Sequence, residues 1–165
     1  MRFCIYSIII FFININVYGQ TRTITGRIID EDFETIPEAR IQNSDTVLLC
    51  KTDINGNFKI EIPIETKKIL ISWIAMEWKT IYLHDNCDHL DIILMYDAHY
   101  DFMSSRKVDR LRKKRFNKLP EIHKVAFEKG IFLTEKPCYR FEFVSIKGDL
   151  DKIEKNRHEN KKPST

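Results

Sequence analysis

The segment Phe58-Lys59-Ile60-Glu61-Ile62 alternates apolar and charged side chains without a break. Successive side chains of a β-strand point to opposite faces, so a strict period of two specifies a strand with one face buried and one in water. One such strand cannot hide its apolar face alone. The front half of the chain supplies partners of the same type. Ile24 and Ile28 alternate with Thr25 and Arg27, and Val47 to Cys50 is a short apolar run. Ile69, Ile71 and Trp73 share one face, Trp78 and Tyr82 follow, and Leu90, Ile92 and Leu94 alternate with Asp91 and Ile93. With the short Ala39–Gln42 segment, this predicts about seven strands between Thr21 and Met95. Their close spacing suits a β-sandwich, in which two sheets face each other ~10 Å apart.

The sequence between these strands carries turn chemistry. Asp53-Ile54-Asn55-Gly56-Asn57 reads as a tight hairpin, because Asn-Gly tolerates positive φ. The same stretch superficially matches a calcium loop, but its twelfth position holds Ile64 where a bidentate glutamate is needed. Pro63 and Glu65-Thr66-Lys67 break the next pair, and Asp85-Asn86 opens the loop before the last strand.

After Asp101 the period changes. Val108, Leu111, Phe116 and Leu119 fall on one side of a helix, with Arg106, Lys107, Arg110, Lys113 and Lys114 over most of the rest. Ser104 or Ser105 is placed to cap its start. Pro120 ends it and suits the first turn of a second helix, which runs to about Lys129 with Gly130 as a left-handed stop. Arg140 to Ile146 alternates briefly, as an added strand or as a segment packed across the sandwich. Beyond Asp149 the chain is charged and poor in apolar residues, which predicts a frayed helix or disorder.

The first residues differ in kind from all of these. Arg2 precedes an uncharged run centred on Ile8 to Ile13, which exits through Val17-Tyr18-Gly19-Gln20. A short apolar stretch with one basic residue before it and small residues at its exit reads as a secretory leader. A buried strand or a membrane anchor is the other reading. The anchor is opposed by the length of the run, below the ~20 residues a spanning helix needs, and by Asn14 and Asn16. Cys4 lies too early to carry the lipid of a lipoprotein. The expected division is therefore a leader over 1–19, a sandwich over 20–98, a basic helical extension over 99–148 and a charged tail over 149–165. Export would place the chain in a periplasm, at an outer membrane or in the medium.

Removing the leader leaves Cys50, Cys87 and Cys138, enough for one disulfide and one thiol. Cys50 sits in an expected strand as a buried free thiol, whereas Cys87 and Cys138 lie in loop-like sequence and are the pair to test. Charge is divided as well. Residues 20–101 hold eight basic against fifteen acidic groups, and residues 102–165 hold eighteen against nine. The cations of the first helix have three possible roles: a solvated face, docking on the acidic half, or contact with anionic lipid head groups or an acidic partner. Nucleic acid is not expected for an exported chain.

Several of these segments together resemble the carboxypeptidase-regulatory-like (transthyretin-like) β-sandwich domain. They are Thr23-Ile24-Thr25-Gly26-Arg27-Ile28-Ile29-Asp30, Ile36-Pro37-Glu38-Ala39, Thr52-Asp53-Ile54-Asn55-Gly56-Asn57-Phe58 and Ser72-Trp73-Ile74-Ala75-Met76-Glu77-Trp78. The match covers about Thr21 to Met95, with Thr52, Asp53, Gly56 and Phe58 as the family's hairpin motif. Glu38 and Ala75 stand where the family has turn glycines. The resemblance implies a seven-stranded transthyretin-like β-sandwich followed by a basic α-helical extension. It also implies a structural or binding module of the kind found beside metallocarboxypeptidases, at the N-terminus of TonB-dependent outer-membrane receptors, and alone in exported proteins of Gram-negative bacteria.

The catalytic motifs such a resemblance invites are missing from the sequence. None of His84, His89, His99, His123 and His158 has a glutamate three residues on, as a carboxypeptidase zinc pair requires. His-Glu-x-x-His, Gly-x-Ser-x-Gly and a phosphate-binding glycine loop are also missing. The one cluster to weigh is His84-Asp85-Asn86-Cys87-Asp88-His89, in which His84, Cys87 and His89 are weak metal-ligand candidates against the reading of a solvated loop. The expectation is thus a non-catalytic, cofactor-free module of the bacterial cell envelope. The alternatives are an accessory factor for a separately encoded TonB-dependent receptor or envelope enzyme and, disfavoured, a metal-dependent carboxypeptidase-like hydrolase.

Overall fold

The computed structural model describes residues 19–98, 100, 102–146 and 148. The expected leader, apart from Gly19, and the expected tail over 149–165 lie outside the described residues, as do His99 and His158. The chain runs β1 (Thr21–Ile29), β2 (Arg40–Gln42), β3 (Leu48–Lys51), β4 (Asn57–Pro63), β5 (Lys68–Ser72), β6 (Lys79–Tyr82) and β7 (His89–Ile93). Two helices follow, α1 (Ser105–Phe116) and α2 (Leu119–Glu128). The structure is mainly β, with a three-stranded sheet ordered β4-β1-β7 and a four-stranded sheet ordered β3-β2-β5-β6.

Strand β1 pairs antiparallel with β4 and parallel with β7, so that Gly26 lies opposite both Phe58 and Leu90. The apolar faces of the two sheets meet in one core. Ile24, Ile28, Phe58, Ile60, Ile62, Leu90 and Ile92 from the first sheet join Ile41, Ile69, Ile71 and Ile81 from the second. Strand β4 alternates buried and exposed at every residue, which is the arrangement its sequence pattern predicts.

The helices form a further layer. Ile29, Ile93 and Met95 turn away from the first core and pack with Leu119, Ala126 and Phe132. Strand β7 is therefore buried on both faces from Leu90 to Ile93, and its alternation gives way to a continuous buried run. On α1, Val108 is buried while Leu111 and Phe116 are partly so. Gly130, at φ +70°, closes α2. The Gly130 N–H donates to Phe127 O and the Ile131 N–H to Ala126 O, both at 2.9 Å, the paired bonds of a left-handed helix stop.

Three local expectations are corrected, and one segment with two expected readings takes the second. The Asp53–Asn57 turn exists, but β3 and β4 belong to different sheets, so it is a crossing between layers and not a hairpin within a ladder. It is held there because the Ile28 N–H donates to Gly56 O at 2.8 Å, docking the turn on β1. Residues 140–146 add no strand: Arg140 makes a single bridge to Tyr82, and Phe141 and Phe143 instead pack edge-on against Phe116. Ser104 stands at the start of α1 without a side-chain cap bond. Trp78 lies just outside β6 and is exposed. Among the described residues, no helix is long and apolar enough to cross a membrane.

Candidate functional site

The motif residues of the front half serve the fold. Thr52 is buried; its hydroxyl accepts from the Ala39 N–H at 2.8 Å and donates to Ile36 O at 2.6 Å. Asp53 Oδ1 accepts from the Asn55 and Asn57 N–H groups at 2.9 and 2.7 Å. Those donors, Asn57 first, hold its carboxyl below the usual range. A Cβ on Gly56 would lie 2.3 Å from Ile28 O. This carboxylate is committed to its own turn.

The His84–His89 loop does not assemble a metal site. The Cys87 sulfur is joined to Cys138 in a disulfide, and the described residues contain no cluster of three or more metal-ligating side chains. Cys50 remains a free thiol, half-buried, with its pKa raised by burial. His84 is exposed, and its carbonyl accepts from Arg22 Nη1 at 2.9 Å.

His89 has two partners of its own. Its Nδ1 lies 3.1 Å from Thr25 Oγ1, and its Nε2 lies 3.0 Å from Asp91 Oδ1. Hydroxyl, imidazole and carboxylate in this order share the connectivity of a nucleophile triad. Asp91, however, is 1% exposed, and its second oxygen accepts from the Leu133 and Thr134 N–H groups and the Thr134 hydroxyl, at 3.0, 2.9 and 2.8 Å. The Tyr139 hydroxyl donates to the Asp91 carbonyl at 2.9 Å. The cluster works as a latch that fastens the segment after α2 to the outer face of β7.

A second group was not singled out from sequence. Lys79 is buried beside Ile81; its Nζ donates to Ile93 O and lies 4.2 Å from the centre of the Phe141 ring. Burial pushes its pKa down to about 7, partly opposed by the charges of Glu77 and Glu31. Buried His123 is also held below its usual range by burial. Its Nδ1 lies 3.2 Å from Glu135 O, and its Nε2 has no hydrogen-bond partner among the described residues. Lys79, His123, Leu119, Tyr139 and Phe141 line an apolar pocket of about 20 Å³. A neutral amine in such a place is a nucleophile in principle. The pocket has room for about one water, not for a substrate.

The large opening lies elsewhere. Arg40, Ser72, Trp73, Ile74, Trp78 and Asp97 line a groove of about 680 Å³ at one end of the four-stranded sheet. The loop forming its wall is stitched to the segment after β7, with Glu77 N–H to Met95 O at 2.8 Å and Asp97 N–H to Ala75 O at 2.9 Å. Ile74 is 84% and Trp78 68% exposed on this fixed loop. Apolar surfaces flanked by a guanidinium, a hydroxyl and a carboxylate can hold an amphipathic ligand without any covalent step. Trp73 to Trp78 reads as strand sequence, and only the structure shows that Met76 enters the core and Trp73 packs partly against it, while Ile74 and Trp78 are left outside. No family model matches the chain, and a search of curated proteins finds no match either.

Proposed function

We propose that this chain is a non-catalytic binding or scaffold module exported to the bacterial cell envelope, built on a carboxypeptidase-regulatory-like, transthyretin-like β-sandwich. The fold reading draws support from the places where the sequence resembles that family. Gly26 faces the Phe58 ring, whose atoms would lie 2.6 Å from a Cβ at that position, so the first-strand motif and the turn motif meet. Thr52 joins the turn to the Ile36–Ala39 segment. Glu38 and Ala75, which replace the family's glycines, hold φ +59° and +60°, the conformation glycine adopts at least cost.

The observation that carries the binding reading is the groove with Trp78 and Ile74 exposed on its wall. Large apolar side chains held together in water mark a surface that a partner covers. Both tryptophans of the chain line this groove, so intrinsic fluorescence reports its occupancy. Titration with solubilised envelope fractions is expected to shift the emission of the wild type. Ile74→Ser, which keeps both indoles, is expected to weaken that response. A response identical in the two proteins removes the groove from the proposal. Export is checked by sequencing the N-terminus after expression in a Gram-negative host: a start near Gln20 and one titratable thiol are expected, and an intact leader on cytosolic protein defeats this part.

A further inference from the structure

Helix α1 has two unlike faces. Its inward side places Val108 in the core and aims Arg112 and Arg115 at Glu77 and Glu31. At 3.6 residues per turn, Arg106, Lys107, Arg110, Lys113 and Lys114 fall within an arc of about 120° on the other side. All five are exposed, and none makes an ion pair among the described residues. The helix's one acid, Asp109, is turned away from that arc, where it accepts from the Ser145 hydroxyl and the Ile146 N–H.

An apolar feature precedes the cations closely in sequence. Phe102 stands three residues before Ser105, the first residue of the helix, at φ +59° with its ring fully exposed, and Met103 beside it is 40% exposed. We propose that this face docks on an anionic lipid bilayer, with the five cations against phosphate head groups and Phe102 and Met103 inserted at the boundary with the acyl chains. Cations alone would suit any polyanion. The protruding ring favours lipid, because a fluid surface accepts a wedge anywhere while a folded partner needs a matching pocket. The proposal adds a partner to the envelope reading without depending on it, since purified protein binds or fails to bind vesicles wherever a cell sends it.

The test is co-sedimentation of the chain from Gln20 onward, which contains every described strand and helix and omits the apolar segment before them. Vesicles are phosphatidylcholine alone, or phosphatidylcholine with one-third phosphatidylglycerol. Binding is expected only to the anionic vesicles and is expected to fall with salt. Replacing Lys113 and Lys114 by Gln should weaken it about fivefold per charge, and Phe102→Ser about tenfold. These positions are exposed, so unchanged far-UV dichroism is expected in all variants. Equal binding to neutral vesicles overturns the proposal. So does an undiminished affinity in Phe102→Ser combined with equally tight binding to polyglutamate, which would mark a general polyanion surface.

Discussion

Arg112 grips Glu77 with two parallel bonds, Nε to Oε1 at 2.7 Å and Nη2 to Oε2 at 2.9 Å. Their side chains are only 12% and 14% exposed, so the pair fastens the basic helix to the acidic sheet layer. Arg112→Ala is expected to cost about 2–3 kcal/mol, because an enclosed carboxylate loses both donors. Exposed Lys113→Ala should change stability by less than about 0.5 kcal/mol. Chemical denaturation of Arg112→Ala, Glu77→Ala and the double variant measures the coupling. A coupling near zero would mean that this pair does not help to hold the helix against the sheet.

Gly26 has no side chain because two neighbours occupy the space for one. A Cβ there would lie 2.3 Å from the Leu90 carbonyl and 2.6 Å from the Phe58 ring. Gly26→Ala is expected to destabilise by about 3 kcal/mol or more, and Phe58→Ala by about 3–5 kcal/mol. A loss under about 1 kcal/mol in urea for Phe58→Ala contradicts the face assigned to β4.

Ala75 holds the left-handed conformation at φ +60°. Its Cβ makes that conformation costly, whereas glycine adopts it freely at some cost in unfolded-chain entropy. Ala75→Gly is therefore expected to stabilise by about 0.5–1 kcal/mol, seen as a higher denaturant midpoint at unchanged slope. A lower midpoint would mean that the methyl group contributes packing that outweighs the backbone effect.

Lys79 makes stability depend on pH in an unusual direction. Burial lowers its pKa from 10.5 to about 7 in the folded chain. Between about pH 7 and 10 the unfolded chain carries a proton at Lys79 that the folded chain lacks, so stability rises with pH across that window and is flat in this respect below it. The rise approaches about 1.4 kcal/mol per pH unit at most. Lys79→Met removes it. Denaturation of both proteins at intervals across the window isolates the difference, and parallel profiles would show that Lys79 is not desolvated as its surroundings imply.

Local periodicity carries what is local. The face of β4, the positive φ of Gly56 and the stop at Gly130 all follow from residues within a turn or a few residues of each other. The parallel pairing of β1 with β7 does not, because nothing near Thr25 or His89 in sequence records the other strand. The placement of β3 and β4 in different sheets is hidden for the same reason, since their turn looks alike in either case. Lys79 shares the inward face of β6 with Ile81, so its position was legible from the period of two, but its type argued for water. Its burial is set by Phe141, some sixty residues on. The cations of α1 were legible as a group, while the division into inward arginines and an outward arc required knowing which side met the sheet.

The bond between Cys87 and Cys138 closes a span of 51 residues that contains β7 and both helices. A protease that nicks the backbone anywhere within that span produces two polypeptides that still migrate as one until a reductant is added. In an environment rich in proteases, a broken chain would thus keep its helical layer chemically tethered to its sheets.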